Sequence, residues 1–373
     1  MTEAGILLQK QNIPDMTRTL RIILTLCLLA SAGTGAAQSI VRKSFARAAQ
    51  QIALMDSLAP ADRFPASWEH DGTTRYTSAK GWISGFFPGN IWYLYEYTGD
   101  AKWLEAARRR TAQLETLRHY TQTHDMGFMV GCPCSLAYRL TRDDYYKQLM
   151  IDSSEALISR FDPTVGLIRS WNNKDGKANP FRVIIDNMMN LEMLFWASKH
   201  TGDPVYRDVA VRHADITMQN HFRDDASSFH VVSYNDDGTV ESRGTFQGYS
   251  DSSAWARGQA WGLYGYTMCY RETGDAKYLK HAERIADFIM HHPNTPADRI
   301  PYWDYNAPNI PDAPRDASAA AVVSSALFEL STLVPEADGK RYFDYAETLL
   351  MNLSSDAYLA RKGANGGFIL MHS

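Results

Sequence analysis

Cysteine is scarce, with four in a chain of 373 residues. Cys27 falls in an N-terminal stretch that reads as a leader, which leaves Cys132, Cys134 and Cys269, an odd set that does not make a disulfide framework. Cys132-Pro133-Cys134 is too cramped for an easy bridge, so all three are expected as structural thiols. Basic runs are missing as well. With 38 Lys and Arg against 42 Asp and Glu, the formal charge is −4, and no cationic cluster supplies the footprint that nucleic-acid binding requires. An anionic ligand must therefore be held by a few placed donors. No metal-ligand spacing appears, since His291-His292 are adjacent at what looks like a helix end. Neither a phosphate-cradling glycine loop nor a nucleophile elbow is present, so no cofactor is called for. The apolar run Ile22 to Ala32 falls short of the roughly 20 residues that span a bilayer.

That short run is better explained as part of a signal peptide. Met16 is a plausible start, Arg18 and Arg21 form a basic n-region, the run itself is the h-region, and small residues lead to Ala37-Gln38. Residues 1–37 are accordingly expected to be a leader with an upstream extension, and the mature chain is expected to be periplasmic or secreted, with no membrane span and an oligomeric state that the sequence leaves open. Leu26 is too large for the small residue that usually precedes a lipoprotein cysteine.

The remainder, 38–373, has the apolar content to bury a large core as one domain. A repeated mark punctuates it: Tyr97-Thr98-Gly99-Asp100, His200-Thr201-Gly202-Asp203 and Glu272-Thr273-Gly274-Asp275, with Leu140-Thr141-Arg142-Asp143 as a degenerate copy. Glycine at the left-handed position stops one helix and aspartate caps the next. An apolar, aromatic segment precedes each mark: Gly85 to Tyr97, Phe128 to Leu140, Asn187 to His200, Trp255 to Arg271, and Ala317 to Leu333 before a fifth turn near Pro335 to Gly339. A more charged amphipathic segment follows each. Such alternation predicts stacked helical hairpins. Because the inner segments are apolar nearly all round, closure into a ring with inner helices lined by outer ones hides both faces. The expected fold is an all-α toroid with the loops that enter the inner helices around one mouth. One β-hairpin is expected, Phe229 to Tyr234 with Thr239 to Arg243 around Asp236-Asp237-Gly238.

Candidate chemistry gathers at that mouth. Thr245-Phe246-Gln247-Gly248-Tyr249-Ser250-Asp251-Ser252-Ser253-Ala254-Trp255-Ala256-Arg257-Gly258-Gln259-Ala260-Trp261 joins two indoles, an arginine and two amides in one loop-to-helix entry. With Ser252 or Ser253 as cap, Arg257 and Trp261 share a helix face suited to a sugar acid. Gly258 predicts close approach of a ligand or neighbouring backbone. Asp125 and Asp186 each directly precede an inner helix. Taken alone, either reads as an ordinary N-cap, but both are flanked by apolar residues able to shift a carboxyl pKa. Trp82, Trp171 and His230 fall at the same mouth.

These motifs together resemble glycoside hydrolase family 88, the unsaturated glucuronyl hydrolases. Trp82 to Gly89, His124-Asp125-Met126-Gly127-Phe128, Ser170-Trp171-Asn172, Ile185-Asp186-Asn187-Met188-Met189-Asn190-Leu191 and Gln247 to Trp261 stand in the family's order. The resemblance implies an (α/α)6 barrel that hydrates the C4=C5 double bond of an unsaturated uronic acid at the non-reducing end of lyase products. It implies Asp186 as general acid/base and Asp125 as the second essential aspartate. Substrate contacts are implied for Trp171, His230, Thr245, Gln247, Arg257 and Trp261, with Trp82 and Trp255 as aromatic support. The alternatives are an unsaturated rhamnogalacturonyl hydrolase and a non-catalytic sugar-binding toroid. The family pattern runs on beyond Met371-His372-Ser373, which implies either a truncated sequence or a ring with fewer elements, with part of the carboxylate subsite and the last helix lacking.

Overall fold

The computed structural model describes residues 35–173 and 180–372. The expected leader lies outside the described residues except for its last three, which open helix α1 (Gly35–Leu58). A compact unit begins at Ser44 and carries every element named below.

Five inner-outer hairpins follow α1: α2 (Phe86–Thr98) with α3 (Ala101–Ala112), α4 (Cys132–Thr141) with α5 (Asp144–Ile158), α6 (Asn187–Thr201) with α7 (Pro204–Asn220), α8 (Ala256–Thr273) with α9 (Ala276–His291), and α10 (Ala317–Ser331) with α11 (Glu336–Leu353). The inner helices follow one another in chain order, α2 packing on α4, α6 on α8 and α8 on α10, while residues 127–131 ahead of α4 bridge it to α6, and each inner helix also packs on its own outer partner. This is the (α/α) barrel architecture expected from the alternation. The inner-outer distinction shows in burial. In α8 nearly every position from Ala256 to Cys269 is buried, whereas α9 buries the stripe Tyr278, His281, Ala282, Ile285, Ala286 and Ile289 and leaves its other face to solvent.

The Thr-Gly-Asp marks work by hydrogen bonding at both helix ends. Gly99, Gly202 and Gly274 take left-handed φ of 66°, 79° and 71°, and in the degenerate copy Arg142 does so at 57°. Asp100, Asp143, Asp203 and Asp275 then cap the next helix, accepting from the backbone N–H two residues on. The threonine explains its own place: its hydroxyl donates to the carbonyl four residues back and accepts from the aspartate N–H. The fifth turn differs from expectation. Helix α11 already starts at Glu336, so Gly339 lies inside it, where glycine is required because Ser331 O would sit 2.4 Å from an added Cβ.

The strands number seven among the described residues: β1 (Phe64–Trp68), β2 (Thr74–Thr77), β3 (Phe161–Asp162), β4 (Leu167–Ile168), β5 (Phe181–Ile184), β6 (Val231–Tyr234) and β7 (Val240–Gly244). The expected hairpin is β6–β7, but β5 also pairs with β6 to make a three-stranded sheet. That pairing sets Ile184 opposite Val231, so the chain leading to Asp186 and the chain leaving His230 run side by side. The three described cysteines are free and burial pushes their thiols up, Cys132 to about 12.

Candidate active site

Asp125 enters the site on an irregular turn. The inner helix expected from Phe128 begins instead as a π-helical turn, Gly127–Gly131, before α4. Such turns are rare and recur at functional sites. Gly127 is needed there because an added Cβ would stand 2.7 Å from Asn190 Cα on α6, and Phe128 N donates to Asn190 Oδ1 at 3.2 Å. The turn after Asp125 is thereby pinned to the helix after Asp186.

Neither aspartate is spent as a helix cap. Asp186 precedes α6 with αR dihedrals and no side-chain capping bond. It is 7% exposed, and its Oδ2 is buried without a hydrogen-bond partner among the described residues. That oxygen faces His230 Nε2 at 3.5 Å. Asp125 accepts from Thr123 Oγ1 at 2.5 Å and faces His124 Nε2 at 3.2 Å. His124, fully buried, meets Ser170 Oγ at 3.3 Å, and that hydroxyl accepts from Ile184 N at 3.0 Å. Arg160 closes the frame by donating to the carbonyls of Thr121, Arg169 and Ser170 and to Asn172 Oδ1 at 3.1 Å.

Burial works to raise the Asp186 carboxyl. The facing His230, foremost through its Nε2, and His124 behind it outweigh that effect, and the group lies below the usual carboxylate value. His230 is itself fixed by donors. Phe246 N and Gln247 N both point at Nδ1, at 3.0 and 3.1 Å, so Nδ1 accepts and the ring proton belongs on Nε2, toward Asp186. Behind this pair lie two more buried histidines, His213 and His221, and burial lowers both, His221 to about 3.

The aromatic residues fall into two groups. Trp82, 39% exposed, packs edge-on against Phe128 at 5.6 Å, and Phe128 leans on buried Trp261 at 5.2 Å. Trp171 meets His230 at 6.1 Å and Phe246 at 5.3 Å, while buried Trp255 lies 4.8 Å from His230. Gln247, Trp255 and Arg257 line an open cleft of about 450 Å³ with Trp303, Asp316 and His372.

Several expectations need correction. Ser252 and Ser253 do not cap α8; the helix starts after Trp255, and Ser253 Oγ donates to Ser250 O and Asp304 Oδ2. Arg257 and Trp261 remain one turn apart on α8, but Trp261 is 4% exposed and Arg257 is partly engaged, donating from Nη1 to Asp316 Oδ2 at 2.6 Å and to Ser318 Oγ. Thr245 Oγ1 accepts from Gly248 N at 2.7 Å, which makes it a loop former. Of the two motif glutamines only Gln247 is exposed; Gln259 is buried and holds Ser228 N and Ala226 O. Gly258 does mark close approach, by the side chains of Trp255 and Ile185, whose atoms would lie 3.0 and 3.2 Å from a Cβ. His124, Ser170, Asp304 and Asp316 were not singled out from the sequence. His124 had a signal, its place beside Asp125, whereas Asp304 and Asp316 join the site from 50 or more residues away.

The model of Glycosyl Hydrolase Family 88 matches residues 59–269. The chain belongs to this family. An unsaturated glucuronyl hydrolase of Formosa agariphila is 50% identical over 298 residues, 79% of this chain and 73% of that protein. One from Bacillus sp. strain GL1 is 36% identical over 83% of each chain. Among solved structures, an unsaturated glucuronyl hydrolase specific for heparin superposes with a TM-score of 0.86 at 48% identity, covering 90% of this chain and 89% of that one. This chain of family 88 is thus a glycoside hydrolase with the (α/α) barrel fold.

Proposed function

We propose that the chain removes a 4,5-unsaturated glucuronic acid from the non-reducing end of glycosaminoglycan-type oligosaccharides, with Asp186 as general acid and base. The observation that carries the assignment is a buried carboxylate oxygen without a hydrogen-bond partner among the described residues, facing a histidine whose tautomer is fixed by two backbone donors. It is supported by the kinship to unsaturated glucuronyl hydrolases of two bacteria and to a structure specific for heparin.

The unsaturated sugar is a vinyl ether. Protonation of C4 by the Asp186 carboxyl places an oxocarbenium ion at C5. Water adds there and gives its proton to the Asp186 carboxylate, which restores the acid. The resulting hemiketal opens and the aglycone leaves from C1. One group serving in both directions is worth ~10²–10⁴-fold in proton transfer. The free site favours the ionised form of Asp186. A uronate entering the same desolvated pocket adds a negative charge that raises the carboxyl again, so substrate binding itself charges the acid with its proton. Asp125, held by Thr123 and His124, orients substrate hydroxyls. Arg257 pairs through Nη1 with Asp316 and lines the cleft, and its guanidinium is the donor for the uronate carboxylate in this reading, with Trp82, Trp171 and Trp255 as platforms and Gln247 at the rim. Export to the periplasm or outside follows from the basic-apolar leader pattern of residues 16–37 and completes the proposal.

A panel of defined unsaturated disaccharides tests the function. The expected result is loss of the ultraviolet absorbance of the conjugated double bond with release of the aglycone, and its abolition in Asp186→Asn. Full turnover by Asp186→Asn would sink the assignment.

A further inference from the structure

We infer that Asp304 is a positioning residue for the acid, acting through the loop 245–253 and His230 on Asp186, an inference that rests on Asp186 being the acid. Asp304 is fully buried and lies in the connection between α9 and α10. A buried carboxylate is costly unless donors surround it, and the donors here all belong to the loop or to the turn beside it. Oδ2 accepts from Tyr249 N at 2.9 Å and Ser253 Oγ at 2.7 Å, while Oδ1 accepts from Asn306 N at 2.8 Å. The loop closes tightly over that oxygen. At Gly248 an added Cβ would lie 2.6 Å from Thr245 Oγ1 and 3.1 Å from Asp304 Oδ2. Backbone pairing fastens the downstream end, with Ala256 N donating to Trp303 O and Tyr305 N to Ala254 O. Asp251 Oδ1 fastens the upstream end by accepting from Thr245 N at 2.9 Å.

The far side of the same loop is where the consequence falls. Held in this shape, it aims two consecutive amides, Phe246 N and Gln247 N, at one imidazole nitrogen. The backbone of His230 is fixed separately, its carbonyl accepting from Ile185 N at 3.0 Å next to Asp186. Only the ring's tautomer and rotation depend on the loop. Without the two amides Nδ1 is no longer held as an acceptor, so the ring is free to take a proton there or to rotate, and the neutral Nε2–H form facing Asp186 Oδ2 at 3.5 Å is lost in part of the population. A wrongly seated imidazole costs up to about 10⁴-fold in well-studied catalytic triads.

Asp304→Asn keeps the shape and removes the acceptor pattern, because in either amide orientation the NH₂ meets an N–H or O–H donor. The expected result on an unsaturated disaccharide is a loss in kcat of ~10–100-fold with KM changed less than ~3-fold, and a cooperative melt retained. In a His230→Gln background the same substitution should cost less than about 2-fold, because the path through His230 is already cut. Multiplicative losses would overturn the proposal. Nitrogen-15 NMR of the imidazole reads the latch without turnover: wild type shows the Nε2–H form, Asp304→Asn a mixture, and an unchanged spectrum would overturn it. That readout stands even if Asp186→Asn is active and the acid assignment falls. If Asp304→Asn does not fold, Ser253→Ala removes one donor from the same oxygen and is carried through the same cycle and spectrum.

Discussion

Near the C-terminal end of α8, Arg271 spreads its guanidinium over three carboxylates, those of Glu192, Glu272 and Glu329, and Tyr264 donates to the second oxygen of Glu192 at 2.9 Å. At the other end of the inner helices, Asp186 Oδ2, His230 Nε2, Asn187 Oδ1, Asn190 Nδ2 and Trp261 Nε1 are all buried with no hydrogen-bond partner among the described residues. The first region spends its charged groups on one another, with Lys199 closing on the second oxygen of Glu272. The second keeps buried groups in reserve, which costs stability and leaves them free to act. A dense ion-pair network holds the scaffold at one end, and a group of unpartnered buried polar atoms gathers around Asp186 at the other.

Reciprocal substitutions would break that division most directly. Asp186→Asn is expected to lower kcat by ~10²–10⁴-fold while leaving the melting temperature equal to wild type or above it, since it removes a buried charge. Arg271→Met removes the guanidinium that three carboxylates share and is expected to destabilise the fold by about 3–5 kcal/mol, with kcat preserved below its melting transition. Calorimetry and turnover on the same preparations decide the matter. A catalytic loss in Arg271→Met without a lowered melt would show that the two regions are not separable.

Glycines offer a finer contrast. Gly127→Ala forces the π-helical turn away from Asn190 and so separates the segments bearing Asp125 and Asp186. Overpacking of this kind costs about 1–3 kcal/mol, and a displacement near 1 Å costs about 10²-fold in rate. Gly274→Ala, at φ 71° with nothing within 4 Å of the new Cβ, meets only the left-handed backbone penalty of about 1–2 kcal/mol. The two variants should melt similarly and differ in kcat, a pattern that stopped-assay kinetics with thermal melts can confirm or refute.

A pH profile sharpens the contrast further. Asp186 must be protonated to act, and in the free site it is held below its usual value. The alkaline limb of kcat/KM, which reports the free enzyme, should therefore lie at lower pH than the alkaline limb of kcat, which reports the substrate complex. Coincident limbs would mean that the bound uronate does not raise the carboxyl.

The far end of the ring was legible in the sequence because its signals are local. Threonine, glycine and aspartate satisfy one another within a few residues, so the pattern Thr-Gly-Asp alone places a helix stop and a helix start. The aspartates of the mouth were legible as positions, Asp125 and Asp186 each ahead of an inner helix, but their roles were not. What keeps Asp186 from being a cap is its αR backbone, and what makes it distinctive is His230, brought alongside by the pairing of β5 with β6. A strand as short as Phe181–Ile184 has too few residues to show a period. Likewise, Arg257 reads as a free cation until Asp316 arrives from the start of α10, and Gln259 resembles Gln247 until the helix buries one and leaves the other outside. Long-range contacts decide which member of a motif is structural, and a single sequence does not record them.

The smallest expected effect belongs to the outermost residue of the mouth. Phe246 is 76% exposed, its ring resting edge-on against Trp171 at 5.3 Å, while its backbone N–H is committed to His230. Phe246→Ala thus removes an aromatic face without loosening the histidine. A disaccharide, whose reacting sugar lies deeper beside Asp186, should be turned over with kcat/KM within about 2-fold of wild type. A tetrasaccharide reaching past Trp171 should lose stacking of about 0.5–1.5 kcal/mol, a rise in KM of ~2–10-fold with kcat unchanged. Measuring both substrates on both proteins separates rim from centre. An equal loss on the disaccharide would mean that the Phe246 side chain, and not only its amide, belongs to the reserve of groups around Asp186.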